Sequence, residues 1–390
     1  MVWKLGETLP SLTGFREPAR FESPDQLQAL MLEVVKHGGS DTFFQGGAPV
    51  LVEIYGQLRQ ITSRRLTTEE CLQILNWAAG NEGASTAVAQ GMEAVASYSA
   101  IDPDLKDQRG ERVRYRFRVN GTRIEFRNGL GVQIVMRSIP SEPPHIKSMG
   151  LDQSLIDACT PRNGIIYITG ATGSGKTTSF AALLRYIMEA DTSIKGNINT
   201  FEAPVEFVFD SVESSHSIIA QSEVPRDVKT FADGVRSSMR RHPALIVIGE
   251  TRDWDTASAS IEASNTGHPV FTTVHANEVE TIYARLLSRC PVDLRDAALF
   301  DLISTGRVLV NQTLARTVDG KRTPLREYLI VTDELREEML AVADPARITA
   351  VVRDMVRKHG KTMEVAASEA YEKGLISNEE LLKYRRRSRG

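Results

Sequence analysis

Residues 164–179 read GIIYITGATGSGKTTS, and FAALLRYIME follows them. The first six residues form an apolar run typical of a buried strand, and the apolar residues from Phe180 to Ile187 recur with helical spacing. Between them lies a turn rich in Gly and Ser. This strand, loop and helix context is the one that a phosphate-binding loop requires, so the sequence predicts a nucleotide site at its centre.

The residue types of the loop match the chemistry of a nucleotide triphosphate. Its glycines let backbone N–H groups turn inward, the Lys176 ammonium can reach the β- and γ-phosphates, and the Thr177 hydroxyl can bind Mg²⁺. The helix that begins near Lys176 directs its positive end at the same phosphates. We therefore expect ATP and Mg²⁺ as cofactors. The predicted nucleotide-binding residues are Gly170, Ala171, Thr172, Gly173, Ser174, Gly175, Lys176, Thr177 and Thr178.

The chain has 390 residues, which is longer than a domain with a single hydrophobic core usually is, so two domains are favoured. Ser23 and Pro24 predict the start of a helix that ends before Gly38, and alternating segments at 48–61 and 113–139 predict antiparallel strands. These patterns indicate an N-terminal α+β domain over residues 1–140. The Pro-rich segment PSEPPHIKSMG predicts a linker at 141–150.

Residues 151–390 are predicted to form an α/β nucleotide-binding domain. Buried strand runs alternate with helical ones from GIIYITG to PVFTTVH, which favours a mainly parallel sheet covered on both faces. After about residue 325 we expect a helical C-terminal part. The chain closes with the basic segment LLKYRRRSRG, which we interpret as a solvated terminus, with docking to an acidic or phosphate group as the alternative.

Composition excludes several classes of protein. With 47 basic and 50 acidic residues the chain lacks the cationic excess of a nucleic-acid-driven protein, which argues against direct nucleic-acid binding. Cys71, Cys159 and Cys290 stand too far apart in sequence for a four-cysteine zinc site or a disulfide framework. No apolar stretch reaches the length of a membrane span, and the first 20 residues are too polar for a secretory signal. We expect a cytoplasmic protein that reaches a membrane only through partners.

Three carboxylates and two histidines are candidates for the catalytic machinery. Glu250 follows the strand ALIVIG, where a doubly wound sheet places its ligands, so it is a candidate base or water-positioning group. Glu202 and Glu206 follow another strand and can reach the metal or its waters, Glu202 being a candidate Mg²⁺ ligand through water. His275 ends the strand that His268 precedes, so His275 should share the edge of Glu250. The alternatives are ordinary loop charges and structural histidines.

The motifs GATGSGKT, TFEAPVEF, IVIGETRD and TGHPVFTTVHAN, in this order, resemble the Walker A, Asp, Walker B and His boxes of the secretion ATPase superfamily. Members of this family drive type II secretion, type IV pili and type IV secretion. The resemblance spans about residues 25–315 and implies a RecA-like ATPase domain. Residues 38–58 and 114–140 resemble the PAS-like N-terminal domain of pilus retraction ATPases. The resemblance also implies a homo-hexamer recruited to the cytoplasmic face of an inner-membrane secretion complex, with a second ATPase in the same system.

The segments VRYRFRVN, FADGVRSSMRRHP and LREYL place the resemblance in the branch that serves type IVB secretion and conjugative plasmid transfer. Two positions depart from the family pattern. Ala203 occupies the position where the Asp box usually has an Asp, so the carboxylate role of that box falls to Glu202 and Glu206. The four-cysteine metal site of many assembly ATPases is missing, which favours the branch that contains both the pilus retraction ATPases and the type IVB ATPases.

Arginines of the first domain are candidates to complete the site of a neighbouring subunit. Phosphoryl transfer needs cationic groups beyond the loop lysine. Arg114, Arg116 and Arg118 alternate along one predicted strand, and Arg137 lies on another. The resemblance implies that Arg116, Arg118 and Arg137 act in trans within a ring, so that hydrolysis moves domains. A solvated basic strand face is the alternative.

Three other functions stay open at this stage. The same chemistry could serve a retraction ATPase of a type IV (thin) pilus. A RecA-like ATPase that binds DNA directly would need a basic groove, against which the near-neutral charge argues. A small-molecule kinase is a weaker alternative, because no acceptor pocket can be recognised. The sequence does not identify the cargo, the docking partner or which carboxylate is the base.

Overall fold

The computed structural model describes residues 16–54, 57–106, 110–126, 129–139 and 142–387. Residues 1–15, which include most of the polar N-terminus, and residues 388–390 of the basic tail lie outside these ranges. The chain divides into two compact units, Met1–Ser141 and Glu142–Gly390. Within the described residues no helix combines the length and the apolar character needed to cross a membrane.

The first unit contains a six-stranded sheet with the order β3-β2-β1-β6-β5-β4, in which every neighbouring pair is antiparallel. Its strands are β1 (Gly39–Gln45), β2 (Leu51–Ile54), β3 (Gln57–Gln60), β4 (Ala94–Lys106), β5 (Arg112–Phe126) and β6 (Gly129–Ile139). Its helices are α1 (Pro24–Lys36), α2 (Thr68–Ala79) and α3 (Gly83–Ala89). The predicted α+β class of this part is confirmed.

Helix α1 shows why the sequence forms this unit. Pro24 occupies its first position, and the Gln26 side chain accepts hydrogen bonds from the backbone N–H groups of Glu22 and Ser23. Leu27, Leu30, Met31, Leu32 and Val34 of this helix are buried in one core with Phe44, Phe117 and other sheet residues. The other side of β5 carries the arginines, because successive side chains of a strand point to opposite faces.

The second unit is built on a seven-stranded sheet with the order β13-β12-β7-β11-β10-β8-β9. All neighbours are parallel except β12 and β13. The strands are β7 (Gly164–Thr169), β8 (Gly196–Glu202), β9 (Ser217–Glu223), β10 (Pro243–Ile248), β11 (Pro269–Val274), β12 (Gly306–Arg316) and β13 (Arg322–Ile330). This is the mainly parallel α/β sheet that the sequence predicted.

Ten helices belong to the described part of this unit. They are α4 (Gln153–Ala158), α5 (Lys176–Glu189), α6 (Phe231–Ser238), α7 (Trp254–Asn265), α8 (Ile282–Leu287), α9 (Arg295–Thr305), α10 (Asp333–Ala341), α11 (Ile348–His359), α12 (Met363–Glu372) and α13 (Asn378–Arg387). Short 3₁₀ turns lie at Ile146–Met149, Val279–Thr281 and Val292–Leu294.

Both faces of the central strands are buried, because alternate residues of one strand enter two different cores. Ile165 and Tyr167 of β7 pack in the core that includes α7 and α9, whereas Ile166 and Ile168 pack with α5 in the other. Phe271 of β11 stacks on Phe180 of α5, with ring centroids 5.4 Å apart. The strands therefore read as continuous apolar runs, as expected for a sheet with helices on both faces.

The predicted start of the helical C-terminal part is wrong. The chain does not turn helical at about residue 325, since β13 continues to Ile330 and the C-terminal helices begin at Asp333. The segment LREYLI pairs in antiparallel register with β12, and Leu325 and Leu329 are buried on the sheet. Strand β9 also has no clear signal in the sequence, because the edge strand SIIAQSE is mostly polar and only partly buried.

Candidate active site

The glycine-rich loop connects β7 to α5 and depends on two glycines for its shape. Gly170 has φ of 142°, and a Cβ at this residue would lie 2.2 Å from the Gln312 carbonyl oxygen. Gly175 has φ of 83°, in the left-handed region that favours glycine. Ala171, Thr172 and Gly173 are exposed at the tip. The loop therefore has the tight, backbone-lined form that the sequence predicted.

Lys176 lies across the mouth of this loop. Its Nζ donates to the carbonyl oxygens of Gly170 at 2.8 Å and Ala171 at 3.0 Å. Partial burial lowers the pKa of the ammonium, and the negative charges of Glu250 and Glu206 oppose that shift. Among the described residues the buried Ser174 Oγ has no hydrogen-bond partner. A lysine near two carboxylates and an unpartnered hydroxyl in a loop of N–H groups fit the phosphates of a nucleotide.

Strand topology brings the predicted acidic residues and one histidine to this edge. Strands β7, β8, β10 and β11 are parallel, so their carboxyl ends meet at one side of the sheet. Glu250 Oε1 lies 2.7 Å from His275 Nε2, and its Oε2 lies 2.6 Å from Arg252 Nε. Both carboxylate oxygens are thus held, and the Glu250 side chain is only 14% exposed. A fixed carboxylate of this kind can orient a water molecule and accept its proton.

Glu202 occupies the end of β8 and has a more enclosed environment. Its Oε1 accepts hydrogen bonds from Thr200 Oγ1 at 2.7 Å and Gln221 Nε2 at 3.1 Å. Burial raises the pKa of Glu202, while these bonds and one from the Glu206 backbone act in the opposite direction. The Glu206 carboxylate is near enough to Lys176 for its charge to act on the ammonium. Glu206 and Glu250 therefore both act on this lysine, whereas Glu202 lies beside Thr177.

Thr177 and Glu202 line one small cleft together with Gly249 and Thr273. Oxygen atoms are the ligands that Mg²⁺ prefers, and the ion commonly uses one or two protein groups beside phosphates and water. Among the described residues no group of three or more His, Cys, Asp or Glu could hold a metal. Most of the other side chains that line the cleft are apolar, so Thr177 and Glu202 are the groups that would hold a Mg²⁺ there, Glu202 through water, and this assignment stays a prediction. When bound, the ion neutralises charge on the phosphates.

His268 does not reach this site in its own chain, which corrects the prediction for this residue. It precedes β11 at the amino end, and His275 follows the same strand at the carboxyl end. Six strand residues at about 3.3 Å each put the two histidines roughly 20 Å apart. His268 Nδ1 instead lies 3.2 Å from both Thr266 Oγ1 and the Ala263 carbonyl oxygen, beside the end of α7.

Threonine hydroxyls hold the strand ends in position, and sequence reasoning missed them. Thr169 Oγ1 accepts a hydrogen bond from the Ala276 N–H at 2.8 Å and lies 2.8 Å from the Val274 carbonyl oxygen. Thr273 Oγ1 donates to the Gly249 carbonyl at 2.6 Å. These bonds join the segment of His275 to the strand of the loop and to the strand of Glu250. Their only sequence signal is a polar residue at the end of each buried strand.

A buried polar network supports the loop from β12 and β13. Gln312 Nε2 donates to the Ser174 carbonyl at 2.7 Å, and Gln312 Oε1 accepts from Ser179 Oγ at 2.7 Å and from Arg326 Nε at 2.8 Å. Arg326 also donates to the Met149 carbonyl at 2.8 Å. Desolvation lowers the pKa of Arg326 to about 10. No local sequence pattern connects Gln312 with the loop, because the two are more than 130 residues apart.

The candidate arginines lie together on the sheet of the first unit. Arg114, Arg116 and Arg118 are on β5, and Arg118 is directly opposite Arg137 on β6. Arg116 is buried and Arg118 is exposed. The Arg137 side chain is 66% exposed, and its Nε lies 2.7 Å from Asp41 Oδ1. The two units are described separately, so a role for these arginines at a nucleotide site stays a prediction.

Comparison with known proteins gives this geometry a family. The family model described as "Type II/IV secretion system protein" matches residues 109–380. The solved ATPase DotB of Legionella pneumophila is 37% identical with a TM-score of 0.83, covering 94% of this chain and 96% of that chain. The type IV pilus retraction ATPase PilT of Pseudomonas aeruginosa is 27% identical over 88% of this chain and 93% of its own length.

A solved structure of the pilus retraction motor PilT with bound ADP is 28% identical to this chain. Its TM-score is 0.75, and the match covers 92% of this chain and 96% of that chain. The resemblance to secretion ATPases that the four motifs indicated is thereby confirmed, as is the two-part fold. The chain belongs to the type II/IV secretion system protein family and is an ATP-hydrolysing enzyme of that family.

Proposed function

We propose that this chain is a Mg²⁺-dependent, hexameric ATPase that powers a type IVB secretion or conjugative transfer system. The observation that carries the proposal is the Glu250–His275 pair at the strand ends beside Lys176, in a chain that matches DotB over 94% of its length. The motifs of the type IVB branch in the sequence support the same assignment. The two DotB structures are 37% and 36% identical to this chain, whereas the PilT structure is 28% identical.

The three carboxylates divide the work of hydrolysis. Glu250 is the proposed base, because both of its oxygens are held in place while it stays close to Lys176. Glu202 shares a cleft with Thr177 and is proposed to orient a water of the metal. Glu206 contributes charge near Lys176. In the reaction a water oxygen bonds to the γ-phosphorus, the bond to the bridging oxygen breaks, and ADP leaves with that electron pair.

His275 is proposed to report the state of the γ-phosphate. Its Nε2 contacts Glu250, and its segment is tied through Thr169 to the strand of the loop. Loss of the phosphate changes the charge that this pair faces, so the histidine segment can move when hydrolysis occurs. The proposed division is a domain at 1–140, a linker at 141–150 and an ATPase domain at 151–390. The boundary between Ser141 and Glu142 supports the end of the first domain, and residues 142–150 group with the second unit.

Arg118 and Arg137, with Arg116 beside them, are proposed to complete the site of the next subunit in the ring. Removing such an arginine finger lowers the rate by about 10³ to 10⁵. Hydrolysis would then alter how one N-terminal domain contacts its neighbour and would convert chemistry into rigid-body movement. The ring is proposed to be cytoplasmic and to dock on an inner-membrane secretion complex that uses a second ATPase.

The test measures ATP hydrolysis against protein concentration, with particle size determined in parallel. Specific activity should rise as rings assemble, and Arg118→Gln should lower it by at least about 10³-fold. Inactive Arg118→Gln subunits should regain turnover when mixed with Lys176→Ala subunits, because each supplies what the other lacks. Arg114→Gln, on the same strand face, is the matched control and should keep its activity. Specific activity that does not depend on protein concentration, together with wild-type activity of Arg118→Gln, would refute the ring mechanism.

A pilus retraction ATPase is the second candidate, favoured by the PilT matches. Both candidates share the same chemistry and differ only in cargo. Deleting the gene in its own host and measuring conjugative or effector transfer beside twitching motility separates them. Loss of transfer with normal motility supports the type IVB assignment, and the opposite pattern supports retraction.

A further inference from the structure

A cavity of about 240 Å³ opens beside the Glu250–His275 pair, and the hydrolysis scheme above does not use it. Arg252, Arg285 and Arg289 line it, but no residue of the loop at 170–178 does. Glu250 belongs to both regions, since it lines the cavity and its charge acts on Lys176. The cavity is therefore next to the position of the γ-phosphate without being part of the loop that holds it.

The three arginines offer free hydrogen-bond donors to this space. Arg285 uses its Nε for the His275 carbonyl, 3.1 Å away, which leaves its terminal nitrogens available. Arg252 uses its Nε for Glu250. The Arg289 side chain is exposed and, within the part of the chain that the structure describes, forms no hydrogen bond or ion pair. A guanidinium can bind two oxygens of one phosphate at once, which makes it a specific partner for that anion.

The charge in the cavity is not balanced by its own carboxylates. Glu250 already has one partner on each oxygen. Asp253 accepts a hydrogen bond from the Thr256 backbone N–H at 2.8 Å and so caps α7. The lining thus holds three guanidinium groups against two carboxylates, and Arg285 and Arg289 form no ion pair with a carboxylate of the described residues. An excess of positive charge in a concave surface concentrates anions there.

We propose that this cavity binds inorganic phosphate, the product released from ATP. The proposal rests on the proposed function only in so far as the γ-phosphate is the source of the anion. After hydrolysis the phosphate passes the Glu250–His275 pair and is held by Arg289 and Arg285 before it reaches solvent. The site thus separates phosphate from ADP, and the phosphate passes directly beside the segment of His275 as it leaves.

The test is equilibrium dialysis of radiolabelled inorganic phosphate against the full chain saturated with ADP and Mg²⁺. The wild type should bind phosphate saturably, and Arg289→Gln should weaken binding by at least about 10-fold through loss of a charged, bidentate partner. Arg285→Gln should act in the same direction. Arg295→Gln is the matched control, because it removes the same charge from a nearby arginine that does not line the cavity, and it should leave binding unchanged.

This measurement does not require turnover, so its failure is distinct from a failure of the proposed function. Wild-type binding that Arg289→Gln leaves intact would place phosphate at the loop instead and overturn the proposal. Absence of saturable binding would do the same. If Arg289→Gln abolishes ring assembly while phosphate binding is absent, the cavity takes an acidic side chain of another subunit, and the phosphate site is wrong.

Discussion

Replacing Gln312 by Leu tests whether the buried network of β12 and β13 supports the phosphate loop. Gln312 is 1% exposed and satisfies three groups: the Ser174 carbonyl, Ser179 Oγ and Arg326 Nε. Leucine has a similar size and fills the space, but it can satisfy none of them. The substitution therefore isolates the loss of polar partners from the creation of a cavity.

The expected cost can be worked out group by group. Ser179 Oγ keeps Arg326 Nη2, 3.3 Å away, as a donating partner, although its own O–H loses Gln312 Oε1 as acceptor. The Ser174 carbonyl and the Arg326 Nε–H are left without a partner, and each buried unsatisfied group costs about 1–3 kcal/mol, with the charged group at the upper end. The free energy of unfolding should therefore fall by about 2–6 kcal/mol, the sum over these two groups.

The assay is urea unfolding of the full chain followed by the fluorescence of Trp254, with Trp3 and Trp77 replaced by Phe. Trp254 packs against the core of the second unit and reports on it alone. Adding Arg326→Met to Gln312→Leu removes the orphaned charge, so the double variant should be about 1.5–3 kcal/mol more stable than the sum of the single effects. A cost below about 1 kcal/mol for Gln312→Leu, or simple additivity, would refute the reasoning.

Three further predictions concern the site. Gly170→Ala should lose ATP binding and about 1–3 kcal/mol of stability, because its Cβ meets the Gln312 carbonyl at 2.2 Å. Gly173→Ala is the control: φ is also positive there, at 77°, so the backbone strain is shared, but nothing lies within 4 Å of its Cβ. Equal binding of ATP by both variants would contradict the steric argument. Glu250→Gln should lower kcat by about 10² to 10⁴ while ADP binding in a titration stays normal, and an unchanged kcat would exclude it as the base. Burial raises the pKa of the Glu202 carboxyl in the folded state. In the unfolded chain the pKa of a glutamate is about 4.3, so the folded state holds this proton to a higher pH. The free energy of unfolding that Glu202 contributes therefore falls as pH rises from the unfolded pKa through the folded one. The urea midpoint of Glu202→Gln should therefore increase relative to that of the wild type as pH rises from 4 to 7. A difference between the two midpoints that stays constant with pH would argue against the raised pKa.

The central sheet could be predicted because its local signals agree with its tertiary role. Strands such as GIIYIT and PVFTTV are buried at every position and consist mostly of apolar residues, because both of their faces are covered. The glycines of the loop and the polar residues that follow the strands mark where the chain leaves the sheet. Since parallel strands share an edge, placing Glu250 and His275 together needed only the strand boundaries, and their 2.7 Å contact agrees with that placement.

The features that escaped prediction depend on partners distant in sequence. Edge strand β9 has little apolar character, and β13 contains charged residues at positions 326 and 327 that look exposed in isolation. His268 stays outside the site because the strand Pro269–Val274 carries its two ends to opposite edges of the sheet, and only His275 follows its carboxyl end. Arg252, Arg285 and Arg289 share a cavity only because α8 packs against the edge of the sheet, which no local pattern indicates.

Strand β13 shows how one edge element can govern both halves of the site. Arg326 contacts Gln312 and through it the phosphate loop, while the next residue, Glu327, points to the other face and accepts a hydrogen bond from the Val279 N–H at 3.2 Å. Val279 lies in the segment that follows His275. Because neighbouring strand residues face opposite sides, a shift of β13 by one register would exchange these contacts and release both the loop and the histidine segment. The two buried charges therefore fix the register of β13, and that register holds the loop and the histidine segment together.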